Sequence, residues 1–174
     1  SLLPPWDQGL AALIADLQGP KIRLERFRDG PIVLEEGDEF IIDADLGANA
    51  GDEHRVGVTY KALPQDVSAG DTLLIDDGRV ILKVEKVDGN AIETVVLLGG
   101  KLSDNKGVNR EGGGLSAKAL THKDRLDLKH AVAIGADYIA VSFPRTAKDI
   151  DDARRLLTKA GSSAGIIAKI ERAE

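Results

Sequence analysis

Two charged runs carry residue types suited to phosphate and metal chemistry. Asp16-Leu17-Gln18-Gly19-Pro20-Lys21-Ile22-Arg23 follows the apolar stretch 10–15, and Lys169-Ile170-Glu171 continues Ile166-Ile167-Ala168. In a parallel sheet such apolar runs are buried strands, and ligands gather beyond their carboxyl ends. The two-residue period of a strand puts the Lys169 ammonium and the Glu171 carboxylate on one face. A cation beside an anion at a strand end suits a phosphorylated, metal-bound substrate, but it is also what an ordinary salt bridge looks like. Gly19-Pro20 forces a turn, after which Lys21 and Arg23 alternate onto one side. Arg offers bidentate phosphate contact and Lys a compact point charge. A third apolar run, Tyr138-Ile139-Ala140-Val141, ends in Ser142, Phe143 and Arg145. Convergence of Asp16, Ser142, Lys169 and Glu171 from distant strands is a stronger signal than any one motif. Lys106, beside Gly107, either clamps a phosphate or is a solvated loop lysine.

The elements that must position these groups follow two grammars. Between about Gly30 and Gly100, short alternating runs are punctuated by Gly and Asp. The strand-like pieces are Ile32–Leu34, Glu39–Ile42, His54–Val58, Thr72–Ile75, Val80–Val87 and Ile92–Leu97. Asp77-Gly78 and Asp88-Gly89-Asn90 are hairpin turn chemistry, so this part is expected to be a small β-barrel. From Leu120 onward the pattern becomes helix–strand–helix–strand. Thr121-x-x-Asp124 and Thr146-x-x-Asp149 are capping signals. Leu128, Ala131, Val132 and Gly135 mark one inner helix face, and Ile150, Ala153 and Leu157 the other, with Gly161 as a stop. The opening run from Leu10 to Ala15 reads as a matching buried strand. The expected organisation is therefore a partial α/β segment over 1–24, an inserted β-barrel over 25–110, and a second α/β segment over 111–174.

Composition narrows the function classes. The chain has 174 residues, 43% hydrophobic and 30% charged, with a net charge of −6. That acidic balance argues against a nucleic-acid or anionic-membrane surface. With no cysteine there is no disulfide, thiolate metal site or cysteine nucleophile. No apolar run reaches membrane-spanning length and no signal-peptide pattern opens the chain, so it reads as cytoplasmic. The absence of Gly-x4-Gly-Lys-Ser/Thr excludes a P-loop, and His54, His122 and His130 lack metal-ligand spacing. Lacking an initiator Met and stopping just past a catalytic-looking strand, the chain reads as a piece of a larger protein.

The motifs together resemble a family. Asp16 to Arg23, Asp76-Asp77-Gly78, Lys106-Gly107-Val108-Asn109, Leu120-Thr121-x-Lys123-Asp124, Asp137 to Phe143 and Ile167 to Glu171 are, in that order, similar to pyruvate kinase. Gly112 to Ala117 and Ser142-Phe143-Pro144-Arg145 resemble its bacterial branch. The resemblance implies a β-barrel lid inserted into a TIM-type (β/α)8 barrel, and a glycolytic enzyme moving a phosphoryl group from phosphoenolpyruvate to ADP. It implies that Lys169 stabilises the transferring group. Glu171 holds Mg²⁺, while Arg23, Lys106 and Asp77 contact the nucleotide. Asp16 and the Leu17 carbonyl then mark a monovalent-cation site, and Ser142 and Phe143 neighbour the substrate. Family members that need K⁺ carry Glu where this chain has Lys21, so the resemblance implies K⁺ independence. It further implies a homotetrameric parent and, for this chain with only part of a site, negligible turnover and a tendency to self-associate. Two other readings remain open. One is a Mg²⁺-dependent lyase or aldolase of pyruvate-like substrates, and the other is a non-catalytic β-barrel binding module.

Overall fold

A computed structural model describes residues 11–170. Leu10 of the expected opening strand and the candidate metal ligand Glu171 lie outside the described residues. The described residues divide into two compact units, one formed by 11–20 with 118–170 and the other by 21–117.

In the first unit, β1 (Ile14–Asp16), β10 (Tyr138–Ser142) and β11 (Gly165–Lys169) make a three-stranded parallel sheet in the order β1-β10-β11. Two helices, α2 (His122–Ala133) and α3 (Ala147–Lys159), connect and cover it. Register places Asp16 opposite Ala140, and Ser142 opposite Lys169. Because side chains alternate, Ala15, Leu17, Ile139, Val141 and Ile166 take one face and join Leu128, Ala131, Ala153 and Leu157 of the helices in one core. Each fully buried aliphatic side chain in such a core contributes about 1.5–3 kcal/mol.

The buried-strand expectation for the two outer strands needs correction. Leu13, Ile14 and Ile167 are exposed, as is Tyr138 of the central strand. Among the described residues, helices cover one face only, and β1 and β11 each pair on one side. The face shared by Ile14, Tyr138 and Ile167 is the one that also carries Asp16, Ser142 and Lys169.

Both helix starts obey their capping signals. The Thr121 hydroxyl accepts from the Asp124 amide at 3.1 Å, and the Asp124 carboxylate accepts from the Thr121 amide at 2.9 Å. Asp149 accepts from the Arg145 and Thr146 amides. Gly135, expected on the inner face of α2, instead follows the helix with φ 74°, as Gly161 does after α3. A residue just past the last turn takes the left-handed conformation that closes the end, and glycine has no Cβ to oppose it.

The second unit is built on a six-stranded mixed sheet. Its strands are β3 (Glu39–Asp43), β4 (Arg55–Gly57), β5 (Thr72–Ile75), β6 (Val80–Asp88), β7 (Ala91–Leu98) and β9 (Val108–Arg110), in the order β4-β3-β7-β6-β5-β9. Only β3 and β4 are parallel. A separate antiparallel pair joins β2 (Ile32–Leu34) to β8 (Gly100–Leu102), and α1 (Leu63–Asp66) is a single turn. The two-residue hairpin between β6 and β7 has Gly89 at φ 59°, the requirement of a type II′ turn at its first central position.

The sheet curls because its two outer strands share a neighbour. Segment 22–25 bonds to 106–108 on one side, through Leu24 N–H to the Lys106 carbonyl and Val108 N–H to the Ile22 carbonyl. On its other side Glu25 N–H reaches the Gly57 carbonyl, and Thr59 N–H the Arg23 carbonyl. Inside lie Phe40, Ile42, Leu73, Ile75, Leu82 and Ile92, all essentially inaccessible to solvent.

Candidate active site

Three strand ends of the first unit meet on one face. Lys169 Nζ lies 3.1 Å from both Asp16 carboxylate oxygens and 3.1 Å from Ser142 Oγ. Ser142 Oγ in turn donates to the Leu17 carbonyl at 2.7 Å. Parallel register explains the meeting, since Ser142 pairs with Lys169 directly and Asp16 pairs with the residue two before Ser142. Ser142 is buried, whereas the Asp16 carboxylate is more than half exposed. The ammonium is thus held over a set of oxygens at the carboxyl ends of parallel strands, a location that favours ligands in α/β sheets.

Two backbone features shape the floor beside this cluster. Phe143 has φ 54°, rare for a bulky residue and a conformation that costs on the order of 1–3 kcal/mol. Gly19 has φ 66°, and a Cβ there would lie 2.9 Å from Ser142 Cβ and 3.1 Å from the Ser142 carbonyl oxygen. The loop leaving β1 therefore approaches the end of β10 as closely as glycine allows. The Gly19 amide donates to Asp124 Oδ1 at 3.1 Å.

The remaining candidates belong to the second unit. The Arg23 guanidinium donates to the Asn105 carbonyl at 2.7 Å, and Arg23 bridges Gly107 in antiparallel fashion. Lys106 Nζ pairs with Asp76 Oδ1 at 3.0 Å, and the Asp76 amide donates to the Gly107 carbonyl. Asp76, Asp77 and Gly78 all have positive φ, which turns β5 back into β6. Asp77 is exposed, as is Lys21, whose carbonyl accepts from Thr59 Oγ1. Arg23, Lys106 and the 76–78 turn are thus neighbours within this unit.

Sequence reasoning missed two of these partners. It weighed Asp77 rather than Asp76, although Asp76 is the carboxylate that engages Lys106. Asp124 was legible as a capping residue, but its second bond to Gly19 links positions 105 residues apart and leaves no local trace.

The donor set at the Asp16 cluster is all oxygen, the chemistry a hard cation takes. Among the described residues no group of three or more His, Asp or Glu side chains is arranged to hold a metal. Among the described residues, too, no helix is long and apolar enough to cross a membrane.

The chain was compared with known proteins. The model of the pyruvate kinase barrel domain matches residues 6–174. The chain is 56% identical over 163 residues to pyruvate kinase II of Salmonella typhimurium, covering 94% of this chain and 34% of that protein. It is 56% identical over 163 residues to pyruvate kinase of Haemophilus influenzae, with the same coverage. The pyruvate kinase of Mycobacterium tuberculosis is 43% identical over 162 residues, 93% of this chain and 34% of that protein. The chain spans about a third of the length of these relatives, and on this match it belongs to the pyruvate kinase family.

Proposed function

We propose that this chain supplies the lid and one arc of the catalytic (β/α)8 barrel of a pyruvate kinase. The whole protein transfers the phosphoryl group of phosphoenolpyruvate to ADP. The phosphorus–oxygen bond to the enol breaks as one forms to a terminal ADP oxygen, and the enolate takes up a proton to give pyruvate. The unit over 21–117 is the lid, and the three-stranded sheet is the barrel arc.

The observation that carries this reading is the Lys169 ammonium held at the strand ends by Asp16 and Ser142. Phosphoryl transfer asks little covalent chemistry of a protein; it asks for cations fixed where equatorial oxygens gain charge. In the reaction Lys169 turns from Asp16 toward the transferring group, while Ser142 and the Leu17 carbonyl keep its strand end in register. Ser142 and Phe143 border the substrate, with the Phe143 backbone kink setting that wall. Arg23 and Lys106 bind the ADP phosphates, and Asp77 closes from the lid turn.

Mg²⁺ belongs to this reading through Glu171, with a further carboxylate from outside the chain. When bound it neutralises phosphate charge. Asp16 and the Leu17 carbonyl supply the hard oxygens of a monovalent-cation site, and Lys21 replaces that cation's charge. The whole enzyme is cytoplasmic and homotetrameric. Coupled assay of the full-length protein with phosphoenolpyruvate, ADP and Mg²⁺ tests the reading. ATP formation is expected, and a full-length protein that cleaves carbon–carbon bonds of pyruvate-like substrates without forming ATP would overturn it.

A further inference from the structure

We propose that Asp124 is a positioning residue that fixes the loop presenting Asp16 to Lys169 and the Leu17 carbonyl to Ser142. A helix cap needs one carboxylate oxygen, and Oδ2 of Asp124 meets that need by accepting from the Thr121 amide and hydroxyl at 2.9 and 2.6 Å. Oδ1 does something else: it accepts from the Gly19 amide across the unit. Caps are normally solvated, yet Asp124 is 0% exposed. A carboxylate fully withdrawn from water is costly unless its oxygens are hydrogen-bonded, and here both are.

The loop from Asp16 to Gly19 is consequently held at three points. Leu17 N–H donates to the Ala140 carbonyl, the Leu17 carbonyl accepts from Ser142, and Gly19 N–H is held by Asp124. A side chain at Gly19 would run into Ser142 at the end of β10, and the Gly19 amide is tethered by Asp124. Among the described residues, the side-chain hydrogen bonds of Asp124 go to Gly19 and Thr121, not to Asp16, Ser142 or Lys169. Asp124 acts through the loop, as a supporting shell that holds an active side chain in its working geometry.

The kinetic part of the test rests on the phosphoryl-transfer reading, and the exchange part does not. In full-length protein, Asp124→Asn keeps the size of the side chain but cannot offer oxygen to both Thr121 and Gly19. Thr121→Ala removes the cap hydroxyl and leaves the Gly19 bond. Hydrogen–deuterium exchange of peptides covering 16–22 should rise about ten- to a hundredfold at Gly19 in Asp124→Asn, and stay near wild type in Thr121→Ala. The kcat for ATP formation should fall about ten- to a hundredfold in Asp124→Asn with little change in either KM, at thermal stability matched to Thr121→Ala. Unchanged Gly19 exchange, unchanged kcat despite faster exchange, or equal losses in both variants would each overturn the proposal. Should Asp124→Asn not fold, wild-type exchange decides: a Gly19 amide exchanging as fast as an open loop overturns it, and a protected one supports it. A wild-type protein that makes no ATP defeats the functional reading and leaves the exchange comparison intact.

Discussion

Lys169 Nζ sits 3.1 Å from each carboxylate oxygen of Asp16, across 153 residues of sequence. The pair is partly solvated, so its direct contribution to stability is about 0–1 kcal/mol. Its consequence is geometric: the ammonium rests with its charge directed along the strand ends. Lys169→Gln in the full-length protein should lower kcat for ATP formation by about 10²–10³-fold, the usual loss when one fixed charge-stabilising donor is removed. Thermal stability should barely move. A kcat within a factor of about two of wild type would remove Lys169 from the chemistry.

Lys21 bears on cation dependence. It stands two residues beyond Gly19, is exposed, and on the reading proposed above takes over the charge of a monovalent cation. Activity at fixed Mg²⁺ should therefore stay flat as K⁺ is titrated against a tetramethylammonium control. Lys21→Glu should make the enzyme depend on K⁺, with about tenfold or greater activation, one ammonium's worth of charge stabilisation. Strong K⁺ activation of the wild-type protein would contradict this assignment.

Lys106 is poised differently, being already paired with Asp76 and 29% exposed. On the proposed reading, nucleotide phosphates compete with that carboxylate. Lys106→Ala should weaken ADP binding about tenfold, as loss of one charge-assisted contact does, whereas Asp76→Asn should leave binding equal or tighter. Isothermal titration of the full-length protein with ADP separates the two. Equal weakening in both variants would mean that the pair is structural only.

These partners also mark where sequence reading runs out. Turn glycines, capping boxes and alternating apolar runs are local, and Gly89, Thr121, Thr72–Ile75 and Ile32–Leu34 were legible for that reason. The short strands Gly100–Leu102 and Val108–Arg110 were not, because Gly-Lys-Leu and Val-Asn-Arg each carry a single apolar side chain, unlike the wholly apolar Ile32-Val33-Leu34. The strand ends bearing Asp16, Ser142 and Lys169 could be placed on a common rim from their patterns, since parallel βα units direct strand ends the same way. The choice of Asp76 over Asp77 depends on the positive φ values of that turn, which decide the side each carboxylate faces. The Asp124–Gly19 bond depends on how α2 packs against the β1 loop, and that is tertiary information alone.

Asp52 gives a pH signature within the 21–117 unit. The His54 amide donates to its carboxylate at 2.9 Å and is the main cause of a pKa held below the usual aspartate value, with smaller help from the Arg55 amide and Arg28 against an opposing burial effect. A carboxylate whose folded pKa is depressed stabilises the fold above the unfolded value, near pH 4, and loses that contribution as pH falls through the folded value. Asp52→Asn keeps an oxygen for the two amides but removes the charge. The variant should be less stable than wild type at pH 7 by no more than about 1 kcal/mol, since the site is close to solvent. Urea midpoints of the two proteins should converge as pH falls below about 4. A difference that stays constant over that range would mean that the charge of Asp52 has no part in it.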